Sequence, residues 1–220
     1  MNKNKNYTFK ITEDSLLRLN EISQSMDGTT FHKYTHILYD IRTELGDNPI
    51  TYLEIGSYAG ASISLVSSHP FPTKCFSVDL GVPILPTTVD GNVNKFKNKK
   101  STFKYIQGNS QSVEVINKVT NIVEKIDILF IDGDHSYNGV ISDYNNYKIF
   151  VNDGGYIVFD DYIDLIYSPE VKIAVDDLIE TFKEDGYDII GAPSYSLLDK
   201  LNSPSSPISN LFVIKKKSKS

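Results

Sequence analysis

Short apolar runs alternate along the chain with stretches in which apolar residues recur every three or four positions. The runs 51–55, 74–79, 103–106, 128–131 and 155–159 are rich in Val, Ile, Phe and Tyr and predict strands. Two more strands are predicted at 187–190 and 210–214. Helices are predicted between them. Thr12 caps the first, acids fill its opening turn, and Leu16, Leu19 and Ile22 follow at helical spacing. The second spans 30–45, with Tyr34, Ile37, Leu38, Ile41 and Leu45 as its stripe and Gly46 as its stop. Further helices are predicted over 112–123, along the Val140, Ile141, Tyr144 and Tyr147 face, and from Ser168-Pro169 through Phe182 to Gly186. In the last of these, Ser168 reads as the cap. Residues 1–10 read as a loose lead-in, and 80–100 as a long connection with Pro83, Pro86, Gly91 and lysines from Lys95 to Lys100. A Ser/Pro-rich loop covers 192–207.

Alternating strands and helices predict an α/β sheet, and the terminal strand pair predicts an antiparallel edge. One domain is expected over 1–220: a helical cover (1–48), a sheet core (49–215) and a basic tail (216–220). An apolar fraction of 40%, with 14 Tyr and 11 Phe, argues for a packed core rather than disorder. The net charge of −6 argues against nucleic acid as the main partner. Neither a secretory signal nor a membrane-length apolar stretch is visible, so no membrane partner and a cytoplasmic location are expected. Cys75 is the only cysteine, which excludes an internal disulfide and fits a reducing compartment. Assembly into a homo-oligomer is left open.

The candidate chemistry sits where strands end. The run 128–131 stops in Asp132-Gly133-Asp134-His135, and 155–159 stops in Asp160-Asp161. Open α/β sheets bind ligands at the carboxyl ends of their strands. Three clustered carboxylates, Asp132, Asp160 and Asp161, repel one another and call for a hard cation such as Mg²⁺ or Mn²⁺. The first strand enters Glu54-Ile55-Gly56-Ser57-Tyr58-Ala59-Gly60-Ala61-Ser62, a glycine turn before a helix, where backbone approaches a ligand closely. Its glycine spacing is not that of a dinucleotide site, which disfavours a nicotinamide dehydrogenase. The next strand ends in Asp79, placed to accept from ribose hydroxyls. Gly108-Asn109-Ser110-Gln111 offers polar groups to a heterocycle, or a cap to the following helix. His32 and His36 lie one turn apart without a zinc motif around them and read as surface or packing residues.

Over 50–182 these motifs resemble the class I S-adenosylmethionine-dependent O-methyltransferases of the divalent-metal type. The chain is similar to catechol O-methyltransferase and to the sugar O-methyltransferase and cephalosporin-hydroxylase-like group. The resemblance implies a Rossmann-like methyltransferase fold: a seven-stranded, mostly parallel sheet with an antiparallel edge strand and helices on both faces. It implies S-adenosylmethionine held by Glu54, Gly56, Tyr58, Gly60 and Ser62, with Asp79 at the ribose, Asn109, Ser110 and Gln111 beside adenine, and Asp132 at the reacting end. It further implies Mg²⁺ (or Mn²⁺) on Asp132, Asp160 and Asp161, the last standing where the family often has Asn. His135 falls where the catechol enzymes carry a basic Lys, and Asp-Gly-Asp-His-Ser-Tyr is the wording of the sugar branch. The implied reaction is methyl transfer to a hydroxyl of a small molecule, a sugar or glycan precursor, with His135 and Asp132 catalytic and Asp134 orienting His135 or the substrate. Two other readings remain: a hydroxylase-like enzyme on the same fold, and a non-catalytic glycan- or protein-binding module.

Overall fold

The structure, a computed structural model, describes residues 13–26, 35–193 and 210–219. Its elements in chain order are α1 (Glu13–Ser25), α2 (His36–Glu44), β1 (Ile50–Ile55), α3 (Ala61–Ser67), β2 (Thr73–Asp79), α4 (Pro86–Phe96), β3 (Thr102–Gln107), α5 (Val113–Thr120), β4 (Ile126–Ile131), α6 (Tyr137–Tyr147), β5 (Val151–Phe159), α7 (Pro169–Asp177), α8 (Ile179–Glu184), β6 (Tyr187–Gly191) and β7 (Phe212–Lys216). A 3₁₀ turn, Lys148–Phe150, joins α6 to β5.

The strands form one sheet in the order β3-β2-β1-β4-β5-β7-β6. The first five pair in parallel. β7 pairs antiparallel with both β5 and β6, so the strand that runs against the others lies one place in from the edge. Strand order reverses between β1 and β4, which opens a crevice at their carboxyl ends.

β4 reads as an unbroken apolar run because both of its faces are buried. Ile128 and Phe130 pack with Ile37, Leu38, Ile63, Val66, Val89 and Val93 from α2, α3 and α4. Leu129 and Ile131 face the other layer, with Val140, Tyr144, Val171 and Phe182. Leu19 and Ile22 of α1 pack on Leu65 and Tyr39, which lays α1 over α2 and α3.

The connection expected over 80–100 instead contains α4. Its composition hides it: Pro86 opens it at the first helical position, and only Val89 and Val93, one turn apart, are buried. The predicted 168–186 helix is interrupted at Leu178 into α7 and α8. The tail begins later than expected, since Lys216 is still in β7 and the Lys217 N–H donates to Gly186 O at 2.9 Å. Thr12, His32, the start of the second predicted helix with Tyr34, and most of the Ser/Pro-rich loop lie outside the described residues. His36 is buried in packing. Among the described residues no helix is long and apolar enough to cross a membrane.

Candidate active site

The hydrogen-bond ladder continues past the strand ends and fixes four turns side by side. Gly56 N–H donates to Val78 O (2.9 Å), Asp132 N–H to Ile55 O (2.8 Å), Gly108 N–H to Asp79 O (2.9 Å) and Asp160 N–H to Ile131 O (3.0 Å). Gly56 has φ +81°, and a Cβ there would overlap the Asp132 carbonyl oxygen. Only glycine lets the β1 turn close this tightly on the β4 turn. Tyr58 in the same turn also holds a positive φ of 46°, a conformation costly for a non-glycine residue. Above these turns lies a cavity of about 550 Å³, walled by Gly56, Tyr58, Asp79, Asn109, Ser110, Gln111, Asp132, Gly133, Asp134 and His135. That size suits a nucleoside-containing small molecule.

Asp79 is firmly held. Its Oδ2 accepts from the Ser57 and Tyr58 N–H groups (2.8 and 3.1 Å), and its Oδ1 from Gly81 N–H (2.7 Å) and the Tyr105 hydroxyl (3.1 Å). A carboxylate has about four acceptor positions, and all are engaged. Tyr105 is the side-chain donor among the four, so it is the partner a ligand hydroxyl can displace without moving backbone.

Three residues of the sequence-assigned cofactor set do not reach the cavity wall. Gly60 opens α3 at φ +83°, where a Cβ would stand 3.0 Å from Val89 Cγ1, so its smallness serves α4 packing. Ser62 is buried behind it. Glu54 is completely buried; its Oε2 accepts from the Tyr52 hydroxyl, while Oε1 has no close hydrogen-bond partner. Burial pushes the Glu54 pKa up to about 8; Asp79 and Asp160 add to this, and Tyr52 and Ser62 offset it in part. The protonated form is therefore favoured in the folded state. Its contribution to stability is complete below the ordinary carboxyl pKa of about 4.5 and is lost as the pH rises towards about 8. A Glu54→Gln variant should gain on the parent across that window, by on the order of a few kcal/mol. Urea unfolding of both proteins at pH 5 and pH 9 checks this, and a pH-independent difference would show that Glu54 titrates normally.

Beside the glycine turn, where β4 and β5 end, an acidic cluster surrounds His135. Burial and the neighbouring carboxylates raise the Asp132 and Asp160 pKa values well above the usual range. Asp161 sits at φ +55°. Its Oδ1 accepts from Asn210 Nδ2 (2.9 Å) and its Oδ2 from the Ser168 hydroxyl (2.8 Å). Ser168 Oγ also lies 3.0 Å from His135 Nδ1, and His135 Nε2 lies 3.2 Å from Asp132 Oδ1. Because the Ser168 hydrogen is committed to Asp161, its oxygen is left to accept from Nδ1–H. With the proton on Nδ1, Nε2 carries the lone pair, and its contact with Asp132 Oδ1 is a hydrogen bond when that carboxyl is protonated, the form its raised pKa favours.

Ser168 thus serves the site and makes no side-chain cap on α7. Asn210 precedes β7 and reaches the site only because that strand inserts beside β5. Asp134 has other partners: it accepts from Ser136 N–H (3.0 Å) and Gln111 Nε2 (3.2 Å), and these bonds, with the nearby His135, lower its pKa. The cap of α5 is Ser112, which leaves Asn109, Ser110 and Gln111 for the cavity wall.

Among the described residues no group of three or more His, Cys, Asp or Glu side chains is arranged as metal ligands. Asp132 and Asp160 fit a hard cation by chemistry, as oxygen donors whose mutual repulsion a positive charge would relieve. Asp161 is committed to Ser168 and Asn210 and would join them only by releasing one of these partners.

The sheet order, with a cavity over its switch point, defines a Rossmann-like fold. The chain belongs to the methyltransferase-domain family, whose model matches residues 53–162. It is 36% identical over 167 residues, 76% of each chain, to the uncharacterized protein R132 of Acanthamoeba polyphaga mimivirus. Among solved structures, the methyltransferase MycE from mycinamycin biosynthesis, in complex with Mg and SAH, matches with a TM-score of 0.62 at 17% identity, over 94% of this chain and 56% of MycE. The chain therefore spans a little over half of MycE's length. CalS11, a TDP-rhamnose 3'-O-methyltransferase, matches with a TM-score of 0.57 at 11% identity over 97% and 99% of the two chains. The O-methyltransferase NovP matches with a TM-score of 0.57 at 15% identity over 93% and 100%. At these identities the likeness is one of fold, and the fold is that of S-adenosylmethionine-dependent methyltransferases.

Proposed function

We propose that the protein is an S-adenosylmethionine-dependent O-methyltransferase acting on a hydroxyl of a small molecule, a sugar or glycan precursor. The observation that carries this reading is His135 in the cavity wall on the turn packed against the glycine turn, with Nδ1 3.0 Å from Ser168 Oγ and Nε2 3.2 Å from Asp132 Oδ1. S-adenosylmethionine, when bound, supplies a methyl group already activated on a sulfonium. Gly56 and Tyr58 would cradle it through backbone, Asp79 would take the ribose in exchange for Tyr105, and Asn109, Ser110 and Gln111 would hold the nucleobase. His135 Nε2 would accept the acceptor's hydroxyl proton as that oxygen takes the methyl group from the sulfonium.

A Mg²⁺-type ion would be held by Asp132 and Asp160, with Asp161 joining if it gives up Ser168 or Asn210. Such an ion lowers the pKa of a coordinated hydroxyl. The sugar assignment rests on the Asp-Gly-Asp-His-Ser-Tyr wording, and a TDP-rhamnose methyltransferase among the fold neighbours accords with it.

The test is methyl transfer from labelled S-adenosylmethionine to hydroxylated sugars, nucleotide sugars and phenols, run with EDTA and again after Mg²⁺ or Mn²⁺ is restored, alongside calorimetry of cofactor binding. Transfer to a sugar hydroxyl that EDTA stops and Mg²⁺ restores is expected. Full transfer in EDTA would remove the metal and leave the methyltransferase. Cofactor binding with no transfer to any acceptor would favour a binding module.

A further inference from the structure

Behind the cavity, and outside its lining, α6 carries two fully buried polar residues one turn apart, Asp143 and Tyr147. Both grip the same wall residue. The Ser110 hydroxyl donates to Asp143 Oδ1 at 2.7 Å, and the Tyr147 hydroxyl donates to the Ser110 carbonyl at 2.8 Å. The second Asp143 oxygen, Oδ2, is buried without a partner and stands 3.4 Å from where a Cβ on Gly133 would lie. The Asp143 carboxyl therefore backs two cavity-wall turns at once, the one after β3 and the one after β4.

We propose that Asp143 and Tyr147 are positioning residues that hold the Ser110–Gln111 turn in shape for the nucleobase end of the cofactor, and so set cofactor affinity without touching the reacting groups. The inference rests on the cofactor placement proposed above. Three features support a role beyond filling space. An apolar pair would fill the same space without burying a carboxyl; this burial pushes the Asp143 pKa up to about 6. Both contacts converge on one residue, and each ends on a polar atom of a turn that already has the capped helix α5 to anchor it. The α6 helix also begins directly after the His135 turn, and Gln111 Nε2 donates to Asp134 Oδ2 of that turn at 3.2 Å, so one element backs both the Ser110–Gln111 turn and the turn that carries His135.

The experiment compares Asp143→Ala, Asp143→Asn and Tyr147→Phe with the parent. It measures the affinities for S-adenosylhomocysteine and adenosine by calorimetry, KM for S-adenosylmethionine, kcat at saturating cofactor, and thermal midpoint. Asp143→Ala and Tyr147→Phe should each weaken both ligands by about tenfold, the size of one lost hydrogen bond, and raise KM equally while kcat stays within twofold. Asp143→Asn keeps an acceptor for Ser110 and should restore affinity to near the parent's. If Asp143→Ala does not fold, Tyr147→Phe and Asp143→Asn still decide the matter. Unchanged ligand affinity in Tyr147→Phe, or an equal loss in Asp143→Asn and Asp143→Ala, overturns the proposal. A parent protein that binds neither ligand overturns the cofactor placement and this inference with it, whereas a parent that binds while the variants bind equally well overturns this inference alone.

Discussion

Gly56→Ala should abolish cofactor binding and destabilise the protein by at least about 4 kcal/mol, the combined size of left-handed strain and overpacking. The backbone at Gly56 has φ +81°, so any side chain is strained there. Steric overlap costs more than this strain. The added Cβ would run into Asp132 O and lie 2.6 Å from Asp132 C and 2.8 Å from Gly133 Cα, all of them backbone atoms. No rotamer change relieves such a clash; the carboxyl ends of β1 and β4 must separate. That movement strains the Asp132 N–H bond to Ile55 O and displaces the turn that carries His135. Gly60→Ala is the control. Its φ of +83° imposes the same strain, yet its nearest contacts are the side-chain methyls Val89 Cγ1 at 3.0 Å and Val93 Cγ2 at 3.3 Å, which can yield. Denaturant unfolding and S-adenosylhomocysteine calorimetry on both variants check the difference. Equal stability of the two would show that the β1 and β4 turns are not locked together through Gly56.

The parts of the site legible in the sequence are those that follow from strands ending abruptly. β4 is buried on both faces, so its apolar run is continuous, and the shift to Asp132-Gly133-Asp134-His135 marks the strand's carboxyl end. The same logic locates Asp79 and Asp160. Helix α4 is not legible, because two buried valines among Thr, Asp, Gly and Asn give too narrow a stripe to register as periodic. Ser168 reads as a helix cap because Ser-Pro-Glu is a normal helix opening; its actual partners, Asp161 and His135, are brought to it by tertiary structure. Asn210 gives no local signal, since its place beside Asp161 depends on β7 inserting between β5 and β6. Glu54 is different, because its position is readable. It lies two residues after Tyr52 on one strand, so the two share a face, and Tyr52 is core. Strand parity points Glu54 under the sheet with Tyr52, whereas the wording of the glycine loop draws attention to the ligand.

His135→Ala should lower turnover by about 10²–10⁴-fold, the usual effect of removing a general base, with cofactor affinity nearly unchanged. The size of the effect depends on the acceptor. A sugar hydroxyl is a much weaker acid than a phenol and is almost entirely protonated near neutral pH, so a bound cation alone leaves much of the proton-transfer cost in place. The imidazole is well prepared for this task. Ser168 Oγ at 3.0 Å and Asp161 Oδ2 at 3.2 Å offer acceptors to Nδ1–H, and Nε2 is free to take a proton once an acceptor hydroxyl displaces Asp132 Oδ1 from it. The side chain is also half-exposed, with 36% of its surface open, so an acceptor can reach it. Truncation to alanine removes the base but leaves Gly56, Asp79 and the Ser110–Gln111 turn in place, which is why affinity and turnover should separate. Single-turnover kinetics, where chemistry limits the rate, together with S-adenosylhomocysteine calorimetry, measure the two independently. A variant with the parent's single-turnover rate would exclude His135 as the base and leave the proton to solvent. A variant that lost affinity as much as rate would place His135 in the cofactor pocket instead. A phenolic acceptor run in parallel sharpens the result: because its hydroxyl ionises more readily, its rate should fall less than the sugar's when His135 is removed.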